Sequence, residues 1–398
     1  MRPSCRPRLR RTIAAVARAA ALGTVVAAAA CGGTPTSAPG TFKVGVVLPL
    51  TGSTAWGGRP AKVAAELAVR QINEQGLAGD QRIELVFADG ACAPRTAYAA
   101  ADKLINEDGA KLLVGEWCSS ASIAAAQVAA DAKVPMLVPI STADGIAKSA
   151  GPYVFQSIMQ NSAIQQREAT MLLEKFRFKT AAILVENNDF GLSFRLNMRR
   201  LLASAGISIV LDVPQDRQDA NWYAIMTRIK GASPDLVVIS ISADQAANFV
   251  KQYAESGLTA PLFSDYTPPP YIFEKQVGPT AGRVGLVRGT FFVDSPAATP
   301  RQKAFVAAFE PLAEREVGER KPTVHWDIVT YDAMMIVADA LKRGGAVSTE
   351  AMLAALAATQ YEGVMGRYEF DADRAVKPEG FDFLFIRSMP DGTLTVLD

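Results

Sequence analysis

Residues 112–122, LLVGEWCSSAS, run from a short apolar segment through a glycine into a cysteine and two serines, and on into an alanine-rich stretch. The apolar run Lys111 to Gly115 has the length and boundary of a buried strand, and the pattern from Ala121 to Ala132 is helical. Cys118 therefore sits in a strand-to-helix connection. A thiol there is a nucleophile, a structural thiol, or half of a disulfide beside a binding loop.

Outward from this unit the same alternation continues. Phe42 to Leu50, Arg82 to Ala88 and Val134 to Ile140 read as strands, with helical patterns at Pro60 to Gln75, where Pro marks the start, and at Ala97 to Glu107. After Tyr153 to Ile158 the rhythm restarts. Helices are expected at Ala163 to Phe176, Leu192 to Ala205, Trp222 to Lys230 and Gln245 to Ser256, alternating with strands at Thr180 to Glu186, Ile207 to Val213, Leu236 to Ser240 and Pro261 to Phe263. This βαβα order predicts an α/β fold with parallel sheets covered on both faces. The chain is longer than one hydrophobic core usually serves, and no short-period repeat occurs, so two similar lobes are expected rather than a solenoid. Ala304 to Glu316 and Ile328 to Arg343 then read as two long helices, and Asp382 to Arg387 with Thr393 to Leu397 as a closing strand pair. Periodicity does not say where these late elements dock.

The N-terminus sets the compartment. Six arginines lie between Arg2 and Arg18, followed by twelve uncharged, mostly apolar residues from Ala19 to Ala30. At roughly 1.5 Å per residue that segment is too short for a bilayer core of about 30 Å, so residues 1–30 read as a secretory signal peptide. Ala28-Ala29-Ala30-Cys31 resembles the lipobox of bacterial lipoproteins, which implies a lipid on Cys31 and a tether over residues 31–41; the alternative is ordinary cleavage after Ala30. Removing residues 1–30 takes six arginines and no acid with it, so the formal charge falls from +1 to −5. A mildly acidic chain with scattered charges offers no footprint for nucleic acid.

Open α/β sheets bind ligands at the carboxyl ends of their strands. In the first lobe these are Thr51 to Trp56, Asp89 to Pro94, Glu116 to Ser120 and Ile140 to Thr142. Cys92 and Cys118 fall in adjacent loops of this set, and in an oxidising compartment they read as a disulfide. A nucleophilic Cys118 would need a base, and the one histidine in the chain, His325, lies far away at a late helix pattern. GEWCSSAS lacks the G-x-S-x-G spacing of serine hydrolases. CxxC, HExxH, GxGxxG and Walker A patterns are likewise missing, so neither a metal nor a cofactor is expected, nor an enzyme. Ser119 and Ser120 offer a helix N-terminus able to meet a carboxylate; simple capping is the alternative.

Several stretches together are similar to one family. KVGVVLPLTGSTAWGG (43–58), INEQGLAGDQRIELVFADGACAP (72–94), LLVGEWCSSAS and VPMLVPISTAD (134–144) resemble the first lobe of periplasmic leucine/isoleucine/valine-type solute-binding proteins of ABC importers. ILVENNDFGLS (183–193), PDLVVISISADQAANFVKQYAESGL (234–258) and VMGRYEFDADRAVKPEGFDF (364–383) resemble the second lobe and the return strands. The resemblance implies a type I bilobed fold with an N-terminal lobe of 42–158 plus 293–362, a C-terminal lobe of 159–292 plus 363–398, and crossovers near 156–161, 289–294 and 361–367. It implies a carboxylate site at Ser119, beside Ser120, and in the loop Ile140-Ser141-Thr142. It places Trp56 and Phe190 at the ligand side chain, with core packing the alternative for each, and Ser242 at another contact. The family's glutamate for the ligand ammonium is replaced by Asp265-Tyr266, leaving Asp265 as the candidate beside a solvated-turn alternative. The function implied is capture, outside the cytoplasm or at the outer face of the cell envelope, of an amino acid or related carboxylate or amide by a monomer that delivers it to an ABC permease and touches the membrane only through its lipid. A ligand-sensing receptor of the same fold is the other reading.

Overall fold

Strand β1 (Gly40–Leu48) buries alternate residues on opposite faces, and this fixes the first layer of the molecule. Val44, Val46 and Leu48 pack among Leu67, Ile72 and Ile336, whereas Val47 packs among Ala101, Leu104 and Ala125. A strand with apolar side chains on both faces needs helices on both, which parallel crossovers supply. The computed structural model describes residues 40–397 apart from 217–220, 267–269, 278 and 392. The signal peptide and the Cys31 tether expected from the sequence lie outside the described residues.

The first sheet contains β1, β2 (Gln81–Asp89), β3 (Leu112–Gly115), β4 (Met136–Val138) and β5 (Val154–Gln156), all parallel, in the order β2-β1-β3-β4-β5. The second contains β6 (Thr180–Glu186), β7 (Ser208–Gln215), β8 (Leu236–Ser240), β9 (Leu262–Ser264) and β10 (Val287–Thr290), again mutually parallel. A short hairpin of β11 (Tyr361–Glu362) and β12 (Arg367–Tyr368) stands apart from both. The C-terminal pair β13 (Leu384–Ser388) and β14 (Leu394–Leu397) joins the second sheet antiparallel beside β10, completing the order β14-β13-β10-β9-β8-β6-β7. Here too β6 alternates: Ala182 and Leu184 face Trp222 and Phe249, while Ile183 and Val185 face Leu172 and Phe194.

The chain leaves the first sheet after Gln156 and returns to the first lobe after Thr290, where the helix Pro300–Val317 packs on the helix Ala55–Gln75. The third passage comes later than residues 361–367. Val364 and Met365 donate their backbone N–H groups to the buried Asp332 carboxylate, at 2.8 Å each, on the helix His325–Ala340. Ala375 still bridges Gln156 of β5, so the crossing lies between Val376 and Leu384. A long-range carboxylate contact set this boundary, and no local pattern announced it.

The helix expected from Pro60 begins at Ala55, five residues earlier, and holds Pro60 inside it. Its first turn can lie against neighbouring backbone because Gly57 and Gly58 carry no side chain. A Cβ on Gly57 would stand 2.3 Å from the Trp117 ring, and one on Gly58 would stand 2.0 Å from the carbonyl oxygen of Pro49. This carries Trp56 to the end of the sheet where the loops converge.

Candidate functional site

The loops after β3 and β4 are tied by hydroxyls. Ser122 Oγ accepts from the backbone N–H of Glu116 at 3.1 Å and lies 2.6 Å from Ser141 Oγ. Ser141 Oγ also lies within hydrogen-bond distance of the carbonyl oxygens of Glu116 (3.2 Å) and Trp117 (3.0 Å). The Glu116 carboxylate, fully buried, accepts from Cys92 N at 3.2 Å and Cys118 N at 2.8 Å, spanning the loops after β2 and β3. Burial raises its pKa to about 7, against the lowering effect of those N–H groups. In the same place the sulfurs of Cys92 and Cys118 are joined, their Cα atoms 5.2 Å apart.

The helix after β3 starts at Ser119, two residues before the expected Ala121, with Cys118 as its N-cap and no side-chain cap bond. Ser119 and Ser120 thus stand in the first turn and neither is the cap. Ser119 Oγ accepts from Ala143 N at 3.3 Å, which keeps its own proton available. Ser120 Oγ accepts from Asp189 N at 3.2 Å, a bond between the lobes. Two further interlobe links close the same side: Asp144 accepts from Ser193 Oγ (2.8 Å) and Asn197 Nδ2 (2.5 Å), and Thr142 Oγ1 lies 2.5 Å from Tyr266 OH.

Between these contacts lies a cleft of about 520 Å³. Trp56, Ser119, Ser120, Ile140, Ser141 and Thr142 line it from the first lobe, and Phe190 and Ser242 from the second. Asp265 does not. It is wholly buried behind the cleft and accepts from Ser240 Oγ at 2.5 Å, because the turn after β9 directs it into the core and presents Tyr266 instead. The carboxylate that does line the second-lobe wall is Glu186, at the end of β6, oriented by the backbone N–H of Ser242 at 3.1 Å. Asp189 lies three residues further on.

The apolar wall is built from more rings than the sequence suggested. Trp56, Trp117 and Trp326 contact one another with centroids 4.9–5.7 Å apart, and Tyr266 stands 6.4 Å from Trp326 and 6.2 Å from Phe190. The indoles touch, so they form a wall and leave no space between them for a cation. His325, next to Trp326, is buried with its ring 5.6 Å from Tyr266, and burial, with Lys321 nearby, depresses its pKa to about 3. It has no place in the lining. Glu186 and Asp189 could have been found by extending the strand-end rule to β6, and Trp117 stands within the opening stretch. Trp326 gave no signal, because its place depends on how a late helix docks.

A sequence model of the periplasmic binding protein family matches residues 41–381, and the chain belongs to that family. It is 25% identical over 355 residues to the leucine-, isoleucine-, valine-, threonine- and alanine-binding protein of Pseudomonas aeruginosa, covering 89% of this chain and 92% of that one. Among solved structures it resembles the branched-chain amino acid transporter substrate binding protein LivJ of Streptococcus pneumoniae in complex with isoleucine (TM-score 0.77, 25% identity, 90% of this chain and 99% of that one). The fold is also that of a solute binding protein from R. palustris in complex with benzoate (TM-score 0.77, 24% identity, 90% and 96%). The fold is thus the two-lobed type I periplasmic binding protein, two parallel-stranded lobes with loops meeting at a cleft.

Proposed function

We propose that the chain is the extracytoplasmic solute-binding subunit of an ABC importer and that its cleft captures a free amino acid with an apolar side chain. The observation that carries this reading is the opposite chemistry of the two walls. The first lobe offers the Ser119 and Thr142 hydroxyls and the first-turn N–H groups of the helix Ser119–Asp131, which suit a carboxylate. The second offers the Glu186 carboxylate, with Asp189 close by, which suits an ammonium. No Lys, Arg or His lines the cleft among the described residues, and the three indoles leave the remaining wall to an uncharged side chain.

A zwitterion laid across the walls satisfies both lobes only when they are together, so it shifts the open–closed equilibrium by its greater affinity for the closed form. The lobes are 40–158 with the return through 376, and the second sheet with its helices. Capture without turnover, oxidised cysteines at positions 92 and 118, a lipid on Cys31, action as a monomer and delivery to a membrane permease complete the proposal. Calorimetry over amino acids, their amides and aromatic acids tests it. A one-to-one complex with an amino acid, recovered chemically unchanged, is expected. Tighter binding of an acid that lacks an amine, such as benzoate, would refute it.

A further inference from the structure

Thr142 and Tyr266 come from different lobes, and their hydroxyls are 2.5 Å apart in the cleft lining. Thr142 is 1% exposed and Tyr266 5%, so both are shielded from bulk water. One of the two hydroxyls donates to the other. Whichever does so, the second keeps its proton, because neither makes another hydrogen bond among the described residues. The pair therefore presents one unused O–H donor. Ser119, in the helix after β3, presents another: its hydroxyl accepts from the N–H of Ala143, the residue after Thr142. Two O–H donors in the lining of one cleft, with the first-turn N–H groups of the helix Ser119–Asp131 in the same lining, suit a carboxylate better than a neutral group.

We infer that Tyr266 is a specificity-determining residue that brings the second lobe onto the ligand carboxylate, so that closure is driven by the anionic end of the ligand as well as by its ammonium. The inference rests on the amino-acid reading above and names how that site is read. Without the carboxylate, the spare donor of the Thr142–Tyr266 pair is buried and unmet, which disfavours the closed form. Burial pushes the Tyr266 phenol far above its ordinary pKa, reinforced by Asp265, so it remains a donor throughout the physiological range. The Tyr266 ring also packs on Phe190, Phe291 and Trp326, which hold the hydroxyl in place.

The test uses Tyr266→Phe, which keeps the ring and deletes the hydroxyl. Calorimetry and tryptophan fluorescence would follow wild type and variant with the amino acid that binds tightest in a panel of twenty, and with its primary amide. The variant is expected to bind the acid about tenfold to a hundredfold more weakly, the size of one hydrogen bond to a charged group, while its affinity for the amide changes less than about threefold. Equal loss on acid and amide would mean that Tyr266 only packs or latches the lobes, and no loss on the acid would remove it from the site. Either result overturns the inference while leaving the proposed function standing. Failure of wild type to bind any amino acid sinks the proposed function and takes the inference with it.

Discussion

Asp265 and Tyr266 are neighbours in sequence that serve opposite compartments: the aspartate carboxylate takes a hydrogen bond from Ser240 inside the second lobe, and the tyrosine hydroxyl meets Thr142 across the cleft. The turn after β9 therefore contributes an aromatic alcohol to the site and keeps its acid for the core. The carboxylates in the cleft lining are those of Glu186, at the end of a different strand, and Asp189.

This arrangement separates two variants. Glu186→Gln removes the negative charge from the wall and is expected to weaken amino-acid binding at least tenfold, as loss of a charge-assisted bond does. Asp265→Asn keeps an acceptor for Ser240 and is expected to leave affinity within about twofold. Titration calorimetry on the two proteins checks this, and the reverse ranking would return the ammonium site to Asp265.

Ser119→Ala is expected to lower affinity for a carboxylate ligand by about tenfold with little change in melting temperature. The hydroxyl accepts from Ala143 N, but the helix cap is Cys118, so the helix start does not depend on Ser119. Unchanged affinity would show that the hydroxyl serves only the loop after β4.

Reduction should destabilise the first lobe. Cys92 and Cys118 are separated by 26 residues, and closing such a loop contributes roughly 3 kcal/mol in the chain-entropy account. The Glu116 carboxylate already bridges the same two loops through the N–H groups of both cysteines, so part of the arrangement should survive. Melting curves with and without reductant are expected to separate by several degrees; two reactive thiols in the unreduced protein would contradict the bridge.

Acid should weaken the protein through His325. Its folded pKa is depressed to about 3, below the ordinary 6.5, so the unfolded chain binds more protons between these values. The stability it contributes is complete above about pH 6.5 and is lost as pH falls towards 3, at up to about 1.4 kcal/mol per pH unit. Relative to wild type, His325→Phe is expected to flatten the acid limb of a denaturation series. Parallel limbs for the two proteins would show that other groups carry the acid sensitivity.

The alternation of strands and helices was legible because each parallel strand buries both faces and so writes a continuous apolar run, as in Thr180–Glu186 and Leu236–Ser240, whose limits matched. Helix starts were less legible. The helices at Ala55 and Ser119 begin earlier than the apolar pattern because Gly57 and Gly58 in one first turn, and Ser119 and Ser120 in the other, interrupt it. In the site, strand-end position singled out Trp56, Ser119 and Thr142, whose loops the backbone topology brings together, and the family resemblance added Phe190 and Ser242; all five line the cleft. It did not resolve Asp265 from Tyr266, where one residue of backbone rotation decides which side chain faces the ligand. It also missed Trp326 and the late crossover, which depend on the packing of His325–Ala340 against distant segments.

The most direct measurement is a crystal structure of the protein with the amino acid that binds it tightest. The ligand carboxylate should lie within hydrogen-bond distance of Ser119 Oγ and the Thr142–Tyr266 hydroxyls, its ammonium at the Glu186 carboxylate, and its side chain against Trp56 and Trp326. A ligand bound with these ends exchanged, or outside the cleft between the two sheets, would contradict the account.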